Sequence, residues 1–164
     1  MAGFHTKTFT KHDDYMTPKK AWEDIDHIIP KNKVIWEAFY GNGSSGKYLT
    51  ELGYDVIHKE IDFFENDEGE IIITNPPFTM KKQVLTRLKE LNKPFIIISP
   101  FSMINTNYYR ENFGDSCQLI IPRKRIQFIK MNADGVLENE GKCNFDCAYF
   151  CYKMNLERDI VFLQ

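Results

Sequence analysis

The sequence predicts an α/β protein with a mostly parallel sheet that turns antiparallel toward its C-terminal end. Three observations predict it. Strand-like apolar runs alternate with helical patterns from residue 17 to residue 99, which implies parallel strands joined by crossovers. A glycine-rich loop separates the first long strand from its helix. The last third then carries four strand-like runs with no long helical pattern between them.

The elements follow in order. Thr17 and Pro18 read as the N-cap and first residue of a helix, whose apolar face is Trp22, Ile25, Ile28 and Ile29, up to Pro30. Residues 33–39 form a β-rich apolar run ending in the GNGSSG loop at 41–46, and Tyr48, Leu49 and Leu52 suggest a short helix closed by Gly53. Strands are expected at 54–61 and 70–74, a helix at 81–91 and a strand at 95–99. The strand-like pieces of the last third are 118–122, 125–130, 145–152 and 159–163. Residues 132–142, rich in Gly, Asn and Glu, read as a solvated hairpin connection in preference to a substrate lid.

Composition bounds the function. The 164 residues, 43% hydrophobic, make one domain spanning 1–164 with residues 1–12 as a flexible lead-in. Roughly 70% of the unfolded chain's surface is expected to be buried at this size, enough to fold without disulfides. No run approaches the ~18 apolar residues of a membrane span. The start of the chain lacks the apolar stretch of a secretory signal, and the four cysteines are unevenly clustered, so a reduced, intracellular protein is expected. The net charge of -2 conceals an acidic stretch of six carboxylates at 60–70 and four bases at 123–130.

The sharpest local signal is Ile71-Ile72-Ile73-Thr74-Asn75-Pro76-Pro77-Phe78. A buried strand runs straight into Asn and two prolines. Neither proline has an N–H and each fixes its own φ, so the chain leaves the sheet in a stiff turn that presents acceptors without competing donors. The carboxyl end of a parallel strand is also where open α/β sheets bind ligands.

Asn75-Pro76-Pro77-Phe78 resembles the catalytic tetrapeptide [DNS]-P-P-[YFW] of class I S-adenosylmethionine-dependent methyltransferases, specifically those acting on the exocyclic N6 of adenine in nucleic acid. The resemblance covers residues 13–155. It implies a Rossmann-like methyltransferase sheet and S-adenosylmethionine as cofactor. Asp14-Tyr15-Met16-Thr17-Pro18 is similar to the family segment that holds the methionine end of the cofactor, and Glu37-Ala38-Phe39-Tyr40-Gly41-Asn42-Gly43 to its acidic, glycine-rich loop. Glu60-Ile61-Asp62 lies where the family places its ribose-binding acid; the resemblance leaves open which of Glu60 and Asp62 serves. Pro122-Arg123-Lys124-Arg125-Ile126-Gln127-Phe128 and Asn144-Phe145-Asp146-Cys147-Ala148-Tyr149-Phe150 are similar to the family's final strands. Three departures stand out. Only fourteen residues separate Glu60 from Asn75, so one strand is shortened or missing; Ala38 replaces a common proline; and bulky Tyr40 stands beside the glycines.

The chemistry agrees with these residue types. An adenine amino nitrogen is a poor nucleophile because its lone pair is delocalised, so an enzyme gains by accepting hydrogen bonds from both N–H groups as the nitrogen turns tetrahedral. The Asn75 side-chain oxygen and the Pro76 carbonyl are the two acceptors, Pro77 stiffens the turn, and Phe78 offers a face for an extruded base. Glycines 41 and 43 let backbone approach the cofactor. No strong base is needed, and His5, His12, His27 and His58 are read as surface or structural groups.

Competing motifs are weaker. Gly41 to Tyr48 nearly spells a phosphate loop, but Tyr48 replaces the small hydroxyl that binds Mg²⁺. Cys143, Cys147 and Cys151 lack a paired C-x-x-C and a completing His, so reduced core cysteines and no metal are expected. The partner implied is nucleic acid, DNA favoured over RNA, with Lys81, Lys82, Arg123, Lys124 and Arg125 as phosphate contacts. Only 31 residues lie between Gly43 and Asn75 and 14 follow Phe150, so neither usual place for a target-recognition domain is filled. Recognition is then weakly specific, directed at single-stranded or deformed substrate, or borrowed from a second copy or another partner. The alternatives are an RNA adenine, a glutamine side-chain amide in protein, and an inactive methyltransferase-like binding subunit.

Overall fold

The computed structural model describes residues 15–131, 137–138 and 146–164. His5, His12, Asp14, Cys143, Asn144, Phe145 and all of 132–142 except Leu137 and Glu138 lie outside them, as does the 1–12 lead-in. In chain order the main elements are β1 (Tyr15–Met16), α1 (Lys19–Glu23), β2 (Val34–Trp36), α2 (Ser44–Glu51), β3 (Asp55–Ile57), β4 (Ile71–Thr74), α3 (Lys81–Leu91), β5 (Phe95–Pro100), α4 (Asn107–Asn112), β6 (Cys117–Ile121), β7 (Ile129–Met131), β8 (Leu137–Glu138), β9 (Cys147–Tyr152) and β10 (Ile160–Phe162).

Seven strands form one mixed, mostly parallel sheet in the order β10-β6-β9-β5-β4-β2-β3. The pairs β2–β3, β2–β4, β4–β5 and β10–β6 are parallel, while β9 is antiparallel to both β5 and β6. The reversed strand is therefore single and interior, which corrects the expectation of an antiparallel end. Its sequence explains the position. Cys147 to Cys151 are all buried, so β9 has no solvent face and requires a neighbour on each side. At the edge, β10 instead leaves Ile160 and Phe162 exposed. The strands β1, β7 and β8 make a separate small antiparallel sheet.

The period-two alternation of strands supplies one core on each face. Ile71 and Ile73 join Trp22, Ile25, Leu49 and Tyr149 on one side. Ile72 joins Trp36, Phe63, Leu85, Phe95 and Phe150 on the other. α1 is shorter than expected, and Pro18, with extended ψ of 151°, is its N-cap without a side-chain hydrogen bond. Turns carry the apolar face on to Ile29, and the Tyr149 hydroxyl donates to the Ala21 carbonyl at 2.5 Å, tying α1 to the reversed strand. The shortened stretch between β3 and β4 contains no strand. It is filled by Phe63, fully buried against Trp36 and Phe39, with Arg87 donating to the Phe63 and Asn66 carbonyls. Among the described residues no helix is long and apolar enough to cross a membrane.

Candidate active-site cleft

Parallel β2 and β4 are neighbours, so the loops at their carboxyl ends meet. One cleft there is lined by Tyr15, Met16, Thr17, Glu37, Phe39, Tyr40, Gly41, Asn42, Ser44 and Ser45 together with Asn75, Pro76, Pro77 and Phe78. Three segments separated by up to sixty residues in the chain thus share one wall, as expected for ligands bound at strand carboxyl ends.

Asn75 is held by a bond the sequence did not reveal. Its Nδ2 donates to Thr17 Oγ1 at 2.8 Å, and its Oδ1 is buried with no hydrogen-bond partner among the described residues. Thr17 is therefore spent on Asn75 and not on capping α1. A buried carbonyl oxygen left unpaired costs roughly 1–3 kcal/mol, so this acceptor is poised for a donor from outside the chain. Phe78 is buried at the foot of the turn, edge-on to Phe128 with ring centroids 5.9 Å apart.

Glu37 is the second unsatisfied group. It lies at the end of β2, 1% exposed; its Oε1 accepts from the Thr74 hydroxyl and from the Phe39 amide at 3.3 Å, while its Oε2 has no partner among the described residues. Burial pushes its carboxyl up to about 8, against the opposing pull of those two hydrogen bonds. A cation entering the cleft would ionise it. Thr74, immediately before Asn75, physically connects this acid to the Asn-Pro-Pro-Phe turn.

The glycine loop is a tight turn in which the Gly43 amide donates to the Tyr40 carbonyl at 2.8 Å. Gly41 and Gly43 hold φ of 58° and 83°, the left-handed region that side chains disfavour. Asn42 Oδ1 accepts from the Ser44 amide at 3.0 Å, so α2 begins at Ser44. That start places Gly46 and Lys47 in the first turn of α2, and a Cβ on Gly46 would lie 2.3 Å from the His58 ring. Tyr40 stacks on His58 at 6.2 Å and lies over Gly43. The cleft is narrow as a result, about 50 Å³.

Not every expected residue joins the cleft. Pro18 and Gly43 stand beside it, not on its wall. Glu60 is exposed. Asp62 is buried, but its Oδ1 accepts from the Phe64 amide at 2.8 Å and so closes a local turn. Lys81 and Lys82 occupy the first turn of α3, shortly after the Asn-Pro-Pro-Phe turn, while Arg123, Lys124 and Arg125 are exposed on the segment after β6. Cys147 and Cys151 are buried within β9, and burial pushes the half-buried Cys117 thiol up to about 12, so these are unreactive thiols. Among the described residues no group of three His, Cys, Asp or Glu side chains is placed to hold a metal. Met16 and Asn42, within the two segments expected to hold a cofactor, lie on the cleft wall; the sequence reading overlooked Ser44 and Ser45 there, and Phe128 behind it. The Asn–x–Ser spacing of 42 and 44, typical of a helix start, was the available signal.

Comparison of the chain with protein-family models finds none that matches, and comparison with curated proteins finds no match either.

Proposed function

We propose that this chain is a Rossmann-like methyltransferase that transfers a methyl group to the N6 amino group of adenine in nucleic acid, DNA favoured over RNA. The observation that carries this reading is the buried Asn75 Oδ1, without a hydrogen-bond partner among the described residues, at the carboxyl end of β4, in one cleft with Pro76, Glu37 and the glycine loop. Two fixed acceptors suit an amino group with two N–H donors. Asn75 Oδ1 and the Pro76 carbonyl accept those donors as the nitrogen loses its conjugation, and Phe78 bounds the pocket in which the base lies. Because the acceptors are set before the substrate arrives, little reorganisation is required during the reaction. The proton released from nitrogen passes to solvent, and no side chain need act as a strong base.

The residues present fit the cationic end of S-adenosylmethionine. An orphaned carboxyl oxygen on Glu37 and the left-handed backbone at Gly41 would hold the methionine moiety, with Thr17 and Tyr15 across the cleft. When bound, S-adenosylmethionine supplies the electrophilic methyl group. Lys81 and Lys82 support a polyanionic partner, since both stand at the positive end of the α3 dipole, where cations are unfavourable and acids usually gather.

A second reading, a methyltransferase-like binding subunit without turnover, is favoured by the narrow cleft and by the placement of Glu60 and Asp62 away from it. One experiment separates the two. Unmethylated DNA and RNA are each incubated with the protein and S-adenosylmethionine, with Asn75→Ala as control, and their nucleosides are analysed by mass spectrometry. N6-methyladenine in either polymer with wild type alone establishes the reaction and its substrate. Its absence from both, with no calorimetric binding of cofactor, establishes the binding subunit.

A further inference from the structure

A second concavity, larger than the cleft, opens between α1, the segment after β6 and edge strand β10. It measures about 670 Å³, within the range of ligand sites. Ala21, Ile126, Val161 and Leu163 give it an apolar floor. Its rim is cationic. Lys20 is paired with Asp24 at 2.5 Å and Arg125 with Asp146 at 2.7 Å, but Arg123 and Lys124 are exposed and have no acidic partner among the described residues. Phe162, 66% exposed, stands on the edge strand that borders it.

The groove adjoins the catalytic turn on two sides. Pro18 lines the groove and its neighbour Thr17 holds Asn75. Gln127 lines it and its neighbour Phe128 packs on Phe78. The two concavities are thus adjacent, with consecutive residues Thr17 and Pro18 facing one each.

We infer that this groove holds the single-stranded nucleic-acid flank of the base delivered to Asn75, with Arg123 and Lys124 on phosphates and the apolar floor and Phe162 beneath unstacked bases. This rests on the nucleic-acid reading of the cleft. The charge selects an anionic ligand, and the floor selects among anions. A duplex keeps its bases stacked and offers this floor only phosphate and sugar, whereas a single strand presents base faces that gain from apolar and aromatic contact.

The test uses the full chain, without cofactor, and measures binding of a fluorescent single strand of about 12 nucleotides carrying one adenine. Arg123→Ala combined with Lys124→Ala should weaken binding about tenfold near 0.1 M salt. It should also lower the logarithmic salt slope by about 1.4, because each phosphate contact on a single strand contributes about 0.7. Phe162→Ala should weaken it about fivefold with little change of slope. In turnover assays the double variant should raise KM for the oligonucleotide and leave kcat unchanged.

Unchanged affinity and slope in a double variant that melts like wild type would overturn the inference. So would a duplex of the same sequence binding more tightly than the single strand, or polyglutamate binding more tightly than either, which would assign the groove to an acidic protein. The two readings fail separately. If wild type methylates nothing but single-strand binding still depends on Arg123 and Lys124, the groove stands and methyl transfer falls. If the double variant methylates with unaltered KM, the groove alone falls.

Discussion

Two neighbouring parallel strands end in nearly the same way and come to opposite uses. β4 reads Ile-Ile-Ile-Thr and continues Asn75-Pro76-Pro77-Phe78; β5 carries Ile96-Ile97-Ile98 and continues Ser99-Pro100-Phe101. Each runs through a hydroxyl residue and proline into a short 3₁₀ turn that begins with phenylalanine. At β5 the hydroxyl and the amide that follows are paired internally. The Ser99 hydroxyl donates to Met103 Sδ at 3.2 Å, the Phe101 amide donates to the Asp146 carbonyl at 2.9 Å, and β9 covers the strand as far as Pro100. At β4 no antiparallel strand covers the end, and one extra Asn and proline leave the Asn75 oxygen buried and unmatched. The comparison teaches that proline after a strand makes a stiff exit anywhere, but becomes a candidate site only where the neighbouring elements leave an acceptor unsatisfied.

The largest test of that contrast removes the acceptor. Asn75→Ala should lower turnover by about 10²–10³ while leaving cofactor affinity within about twofold, the scale of losing one preorganised transition-state contact. Steady-state kinetics with calorimetry checks it. Full activity in this variant would sink the assignment.

Next in size is the acid joined to the same turn. The Glu37 carboxyl is raised by burial, so the folded state binds its proton up to pH about 8, whereas the unfolded chain releases it near the ordinary 4.5. Between these values the native state holds more protons than the unfolded state. Its stability therefore falls as pH rises through that window, by an amount on the order of a few kcal/mol. Glu37→Gln keeps the shape and removes the titration. Its Tm should lose this decline and exceed that of wild type at pH 8, as thermal melts across the range would reveal. A decline of equal size in the variant would place the titrating group elsewhere.

Thr17 is a positioning residue, and its removal sharpens the comparison further. Thr17→Val frees Asn75 to rotate, so kcat should fall about tenfold with KM nearly unchanged, consistent with a misplaced contact. Thr17→Ser should restore the rate, which a merely structural role for the β-branched side chain would not predict. The smallest effect belongs to the closed strand end. Ser99→Ala deletes a hydrogen bond to sulfur and should lower stability by about 1 kcal/mol or less, with turnover unaffected. A catalytic defect there would erase the distinction between the two ends.

Much of the scaffold was legible because it depends on short-range periodicity. The 81–91 helix coincides with α3, and the apolar runs place β4 and β5 to within a residue. The helix α4 escaped notice because Asn107 to Asn112 has mixed polarity over fewer than two turns, and it is held by Thr106 accepting from the Tyr109 amide. The missing strand was visible as a short interval between Glu60 and Asn75, but its replacement by an aromatic turn around Phe63 was not. Asp62 was a candidate ligand for ribose, yet its short carboxylate accepts from the Phe64 amide two residues on and closes a local turn.

The sequence by itself determined the exit from β4, because a proline's absent N–H and fixed φ are covalent properties that hold wherever it is placed. It likewise determined the loop glycines and the two-sided burial of β9, which has no polar face to turn outward. Only the tertiary structure decided which hydroxyl orients Asn75, that Glu37 is buried with one oxygen unpaired among the described residues, and that the cationic segment after β6 opens beside the Asn75 turn. Those facts depend on partners brought together from distant parts of the chain, such as Thr17 and Asn75. Hydrogen-bond satisfaction and desolvation are properties of the packed surroundings, and local residue preferences contain no record of them.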